Sequence, residues 1–561
     1  MPKDSAMGID LINEDPQAKN KQRKTRILIA CILIAIVLII IIAVVLVFVL
    51  KDKQELSAKV ETLEFTLPTN GGIESATYLY SGRILVHYHI NGTSENYLAV
   101  MDDDGKNWQE IWHGSGIHYK ANGFRIMPFT DNKRILLGDY ILECSPSIDN
   151  CTKSEAILVV YPELIVNDPR VFLVWSECII SQDGNYIAWS TLGTPFGSIN
   201  FLGKITRGEN NYTFSNVKII SNSEFFKVEG EQLVPIVIRG GEIKQFCKGG
   251  TGVTVAGSTN TGIAKSIFQD LASERVTPLS HEIGYDETTI LSPDENLGIT
   301  MSTRNSPNTN FAILGLVPVP NDVIVTSTMN RYVYTFAITN VRNGKHRGNV
   351  GPVLTKIMHS IEDENYHGIA LHDPSNNWTF CSPISWHPSS TKALWLEIGN
   401  CGETKGIRRI RKAQIIGHTA QEPVATKPTP ENISYALDLQ EFTNMSNMTF
   451  SGKVIGKNSG SIYIQRNATY AYANYDNYSD DGNVFYNGEM YFTQTSDYGG
   501  KLVSKVNGTK TDGSTESVMD FRLTFSSGSD LLFDADVDGK PKSYGYATYK
   551  DRTINVDTYK D

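Results

Sequence analysis

One figure recurs along this chain and restricts its fold more than any other feature. It is an apolar run, a tight turn built on Pro, Asp, Asn or Gly, and a second apolar run. The clearest copy is Leu291-Ser292-Pro293-Asp294-Glu295-Asn296-Leu297-Gly298-Ile299-Thr300. Others are Ile180-Ser181-Gln182-Asp183-Gly184-Asn185-Tyr186-Ile187-Ala188-Trp189 and Trp386-His387-Pro388-Ser389-Ser390-Thr391-Lys392-Ala393-Leu394-Trp395, with a weaker one at Phe129-Thr130-Asp131-Asn132-Lys133-Arg134-Ile135-Leu136-Leu137. Pro presets φ, Asp or Asn caps its own backbone, and Gly or Asn accepts positive φ, so the figure predicts a hairpin between half-buried strands. Aligned on Asp131, Asp183, Asp294 and Ser389, the copies are 52, 111 and 95 residues apart, or one, two and two repeats of about 50. That period predicts an all-β fold, a β-propeller of six or seven blades over residues 73–417, with the strand set 76–112 supplying the seventh. An irregular β-sandwich with coincidental turns is the alternative.

The two ends read differently. Residues 1–26 are polar and predict a disordered tail, and Ile27 to Leu50 is an uncharged apolar run of 24 residues, long enough to cross a bilayer as one helix. Lys19, Lys21, Arg23, Lys24 and Arg26 precede it, and only Lys51 and Lys53, offset by Asp52, follow. The positive-inside rule then leaves the N-terminus in the cytosol, and no cleavage site for a secretory signal is evident. The expectation is a single-pass type II signal-anchor with the bulk of the chain extracellular or lumenal, on a short stalk at 51–72. Residues 418–433, rich in Pro and Thr, read as a linker. Residues 434–561 alternate aromatic or apolar with polar positions between Gly, Asn and Asp turns, which predicts a separate antiparallel β-domain with many exposed tyrosines.

An oxidising compartment sets two further expectations. Outside the membrane run stand six cysteines, Cys144, Cys151, Cys178, Cys247, Cys381 and Cys401, an even number that suggests disulfides. Pairing by proximity gives 144–151, 178–247 and 381–401, one of fifteen connectivities. Glycosylation sequons occur at Asn91, Asn150, Asn211, Asn377, Asn432, Asn444, Asn447, Asn467, Asn477 and Asn507. The net charge of −10 argues against a nucleic-acid partner.

Motifs narrow the chemistry mainly by absence. There is no G-x-S-x-G elbow, so the peptidase domain that follows some tethered propellers is missing, and there is no H-E-x-x-H, P-loop or complete EF-hand loop. The densest group of ionisable side chains is His281, Glu282, Asp286 and Glu287, just ahead of the Asp294 turn. There an innermost strand would begin beside a central channel, and a partly desolvated carboxyl suits general acid catalysis. Glu282 and Asp286 share a strand face about 13 Å apart, so a catalytic partner would come from another blade. We take Glu282, Asp286 and His281 as candidate catalytic groups, and Arg304, Trp386, His387 and Glu397 as candidate substrate contacts. The plainer alternative makes them blade-edge charges, with the carboxylates paired to Arg304. His367, His372 and His387 could hold a divalent metal in a lyase, but scattered histidines are more often simple hydrogen-bonding groups, and neither a metal nor a cofactor is expected.

Four blocks occur together and in order: HEIGYDETTILSPDENLGITMSTR, FAILGLVPVP, YTFAITNVRNGKHRGNVGPVL and SPISWHPSSTKALWLE. Over residues 75–415 the chain resembles the fungal saponin hydrolase family. The resemblance implies a TolB-like or WD40-like propeller that cleaves a sugar chain from a triterpenoid glycoside at a uronic-acid linkage. It implies no residue-by-residue assignment of the site, and the membrane anchor departs from the secreted members of that family. The sequence therefore leads to a membrane-tethered glycoside hydrolase acting on a glycoside or glycan. The alternatives are a non-catalytic surface propeller that binds a glycan or protein, and a uronate lyase.

Overall fold

The repeat is realised as a succession of four-stranded antiparallel meanders. The computed structural model describes residues 36, 38–39, 55–67, 70–117, 124–193, 197–222, 226–257, 265–281, 285–305, 350–363, 365–372, 378–399, 406–445, 449–496, 499–527 and 530–560. The chain divides into two compact units, Met1–Ser57 with Ile416–His418, and Ala58–Ile415 with Thr419–Asp561. Of the expected membrane run 27–50, only Ile36, Leu38 and Ile39 are described, all helical, and the rest lies outside the described residues. Among the described residues no helix is long and apolar enough to cross a membrane.

Six meanders, here called modules, are present among the described residues, and they begin with strands Gly71–Tyr78, Met127–Pro128, Val171–Ile180, Glu242–Cys247, Asp286–Leu291 and Trp378–Trp386. Modules two and three join edge to edge through a parallel contact of Tyr212 with Val159 and of Thr213 with Val160. Module six takes three strands from 378–416, and its fourth is Ser57–Thr62 from the other end of the sequence. Asp103 of module one supports this closure, accepting from Tyr78 Oη at 2.7 Å and from Lys392 Nζ of module six at 2.6 Å. The modules bury apolar faces against one another; Trp189 and Trp395 are wholly buried, so they fill the core.

The turns follow their chemistry. Ser181 Oγ donates to Asp183 Oδ1 at 2.5 Å and Asn185 N donates to the same oxygen at 3.0 Å, while Gly184 takes φ 70°. Positive φ falls on the residue after the aligned position in every copy: Asn132, Gly184, Glu295 and Ser390. Glu295 and Ser390 accept it although neither is Gly or Asn, because the hairpin geometry demands it there.

Residues 419–431, inside the stretch read as a linker, run as a hydrogen-bonded strap across these turns. Gln421 N donates to Asp294 Oδ2 at 3.1 Å, Val424 N to Pro293 O at 2.9 Å, Lys427 N to Gly249 O at 2.7 Å and Thr429 N to Asp183 Oδ2 at 3.0 Å. Glu431 then accepts from Tyr186 Oη and Lys204 Nζ, each at 2.9 Å.

The C-terminal region forms a ten-stranded sheet with one apolar core. Its strands Phe450–Ile455 to Arg552–Asn555 follow in sequence order, whereas its first two, Phe226–Glu229 and Gln232–Pro235, come from between modules three and four. That hairpin joins through a parallel contact of Gln232 with Lys453.

The cysteine expectation needs correction. Cys144, Cys151, Cys178, Cys247 and Cys381 are free thiols, and Cys401 lies outside the described residues. Cys178 meets Tyr161 Oη at 3.2 Å, and burial pushes its thiol up to about 12. Cys247 packs in a different cluster with Phe268 and Leu291, so proximity in sequence does not bring these two together. Cys144 and Cys151 are neighbours, and burial together with Cys151 raises the Cys144 thiol. Of the sequons, Asn377 and Asn447 lie outside the described residues, Asn211 is half-buried, and the other seven are exposed.

The strap gives a pH prediction. Burial alone would raise Asp183, but hydrogen bonds from Ser181, Thr429 N and Asn185 hold it below the ordinary carboxylate value. A carboxyl lowered by folding contributes stability that is present above its unfolded value near 4 and lost as pH falls through the folded value. Pepsin cleavage within 419–431 should therefore rise steeply below about pH 4. In Asp183→Asn it should already be raised at pH 5; identical cleavage of variant and wild type at both pH values would show that the carboxylate does not hold the strap.

Candidate functional site

Each leading strand of modules three to five enters its sheet with charged residues in an otherwise apolar run, and module two has one just ahead of its leading strand. These are Arg125 before Met127–Pro128, Glu177 in Val171–Ile180, Glu242 and Lys244 in Glu242–Cys247, and Asp286 and Glu287 in Asp286–Leu291. Because consecutive modules pack side by side, the strands bring these residues together at one end.

Lys244 is the hub, with its side chain 1% exposed. Its Nζ lies 2.7 Å from Glu242 Oε2, 3.5 Å from Glu177 Oε1 and 3.5 Å from Glu287 Oε1. Arg125 approaches Glu177 Oε2 at 3.9 Å and donates to the Lys244 carbonyl. One residue from Glu287, Asp286 is wholly buried; its Oδ2 takes Arg304 Nη2 at 2.8 Å, Lys265 Nζ at 3.7 Å and the Ser280 hydroxyl. Asp286 Oδ1 has no hydrogen-bond partner among the described residues. Among the described residues, Arg125 and Lys244 thus face Glu177, Glu242 and Glu287, and Lys265 and Arg304 face Asp286, in two buried ion groups joined through the consecutive residues Asp286 and Glu287.

The electrostatics fix the state of Asp286. Burial alone would raise its carboxyl, yet Arg304, Lys265 and hydrogen bonds from Ser280 and Ser302 more than offset this and hold it below the ordinary range. It is a carboxylate at neutral pH and suits a base, a nucleophile or an ion-pair partner. A proton donor is the one role it does not suit.

The other sequence candidates are distributed as follows. Glu282 lies outside the described residues. His281 is exposed and turned away from the cluster, with Nε2 bonded to Ile361 O at 2.8 Å. Arg304 joins the cluster as the partner of Asp286, as the plainer alternative held. Trp386 is buried and donates its indole N–H to Ile290 O at 2.8 Å, so its ring is core. His387 sits in a turn, 2.8 Å from Ser389 Oγ and edge-on to Tyr78. Glu397 is buried in a separate group, accepting from Arg409 at 2.9 and 2.6 Å and facing His372 Nδ1 at 3.4 Å. Burial would raise Glu397, but His372 and Arg409 hold it below the ordinary carboxylate range. Among the described residues no group of three or more His, Cys, Asp or Glu could hold a metal ion.

Sequence reading missed Arg125, Glu177, Glu242, Lys244 and Lys265. A signal was present for two of them: Arg125 and Glu177 each stand six residues ahead of their turn aspartates, Asp131 and Asp183, as lone charges in apolar runs.

No family model and no curated protein matches the sequence. Solved structures with some similarity include a putative TolB from Agrobacterium tumefaciens, 12% identical, covering 56% of this chain and 81% of that one, with a TM-score of 0.31. An oligogalacturonate lyase from Vibrio parahaemolyticus is 10% identical, over 64% of this chain and 98% of its own, with a TM-score of 0.32. A luciferin-regenerating enzyme is 10% identical, over 66% and 100%, with a TM-score of 0.32. Likeness at this level carries no argument about this chain's activity, and the assignment rests on its own residues.

The cluster makes a stability prediction. Removing one member of a buried ion group leaves its partners uncompensated, at a cost of about 3–5 kcal/mol. Lys244→Met should lower the unfolding free energy by about that amount in urea titration, whereas Lys59→Met, in an exposed pair, should change it by about 0–1 kcal/mol. Equal small effects in both would mean that the Lys244 cluster is hydrated.

Proposed function

We propose that this chain is a type II membrane-tethered, extracytoplasmic glycoprotein whose six modules close into a six-bladed propeller that hydrolyses a glycoside bearing an acidic sugar. The observation that supports this reading is the charged cluster at the entry ends of the leading strands. It holds Asp286 as an anion, tied to Arg304 and Lys265. In the reaction Asp286 or Glu282 is one of the two carboxyls and the other comes from another blade, with Arg304 and Lys265 keeping Asp286 ionised as a base or nucleophile. The four blocks that resemble saponin hydrolases favour a triterpenoid uronoside as the first substrate to try.

A second reading has its own support: Asp286 is completely buried and engaged by two cations, as a structural strut would be. On this reading the propeller binds a glycan without turnover.

Detergent-solubilised full chain, incubated with uronic-acid glycosides including a triterpenoid saponin and read by mass spectrometry, separates the two. Hydrolysis gives a free aglycone and a sugar product that has gained water. Asp286→Asn and Glu282→Gln should then each lower kcat about 10²–10⁴-fold. No turnover by folded wild-type protein overturns the hydrolase and leaves the binding module. An unsaturated product absorbing in the ultraviolet would instead indicate a lyase.

A further inference from the structure

The outer face of the C-terminal sheet carries three tyrosines, Tyr463 exposed and Tyr472 and Tyr491 half-buried. Ile462, Ile464, Ala473, Met490 and Phe492 alternate inward and pack the core. The residues between them point outward, and the strand register aligns them across three neighbouring strands, Ser459–Arg466, Tyr470–Ser479 and Val484–Gln494. Tyr472 lies directly opposite Gln465 on one side and Tyr491 on the other. The adjacent row is Tyr463, Asn474 and Glu489. Tyr463 and Tyr472 meet edge to face with ring centroids 6.5 Å apart, and Tyr472 Oη donates to Glu489 at 3.1 Å. Tyr463 is 37% exposed, and Gln465, Asn474 and Glu489 are also exposed.

We propose that this face is a binding surface for a neutral polysaccharide chain lying across the strands. The C–H face of a pyranose ring is apolar and packs on an aromatic ring, while its equatorial hydroxyls need donors and acceptors at the rim. Tyr472 and Tyr491 with Gln465 in one row, and Tyr463 with Asn474 and Glu489 in the next, supply both, on strands about 4.8 Å apart. The charges select a neutral occupant: along the row of Tyr463, the exposed Lys453 and Lys505 are matched by Glu489 and Asp520, which leaves no excess of one sign there to draw an acidic polymer. The inference is independent of hydrolysis, because the row is built from the C-terminal sheet and shares no residue with the charged cluster.

Affinity electrophoresis of the solubilised full chain tests it, through gels containing hydroxyethylcellulose, a soluble neutral β-glucan, or polygalacturonate. Wild type should be retarded by the neutral polymer. Tyr472→Thr/Tyr491→Thr, which keeps strand propensity but removes two rings, should weaken retardation about tenfold or more. Tyr472→Phe, which keeps the ring, should retain it, and matching melting curves for all variants exclude loss of fold. Three results overturn the proposal: no retardation of wild type by the neutral polymer, equal retardation of the Thr variant, or retardation by polygalacturonate alone. Concentration-dependent self-association abolished by the Thr variant would also overturn it, by giving the face to a second copy of the chain. Glycoside turnover is scored separately, so either proposal can fail alone.

Discussion

The Lys244 ammonium is the interaction on which the middle of the structure depends. Its three carboxylates come from three modules: Glu177 from the third, Glu242 from the fourth and Glu287 from the fifth. A single side chain therefore fixes how three separately formed sheets meet at one end. Apolar residues of similar volume would hold such a seam at least as well, because desolvating ions offsets most of their attraction. A buried charge cluster in a fold otherwise built from Val, Ile, Leu and aromatic residues is thus not explained by stability. That is why we place function there.

Charge and strap occupy opposite ends of the same strands. Glu177 lies within the strand Val171–Ile180, and Asp183 stands in the turn that follows it. Thr429 N reaches Asp183 Oδ2, and Gln421 N reaches Asp294 Oδ2. The strap thus spends the second oxygen of two turn aspartates whose first oxygen already builds the turn. It ties modules three to five together at the turn end, as Lys244 does at the entry end. The two devices share none of their residues.

What was legible in the sequence was local. The turns at Asp131, Asp183, Asp294 and Ser389 could be read because a hairpin writes its φ requirements into consecutive residues. The fourth module was reachable only by interpolation, since its turn, Lys248-Gly249-Gly250, lacks the aspartate. Non-local pairings left no local mark. The hairpin Phe226–Pro235 contributes to a sheet more than 200 residues away through a contact between Gln232 and Lys453, and nothing in either segment announces the other. Within the site, Asp286 and Arg304 were visible as a charge-rich stretch, but their partners Lys265 and Ser280 come from neighbouring strands and loops. Trp386 was read as a platform and proved to be core, the usual fate of a tryptophan inside a strand repeat.

The electrostatics also limit how any hydrolysis could be divided among carboxyls. Acid and base roles require two groups whose environments push their proton affinities apart. Asp286 is held low by Arg304 and Lys265, and Glu397 is held low by His372 and Arg409, so both are anions and neither suits the proton donor. Their separate ion groups make them poor partners for one another in any case. A donor must lie where fewer cations reach it, outside the ion group of Asp286. Glu282, four positions ahead in the sequence, is a candidate for one carboxyl, and its spacing from Asp286 leaves the second to another blade. The cations that disqualify Asp286 as an acid thus require the proton donor to stand outside its ion group.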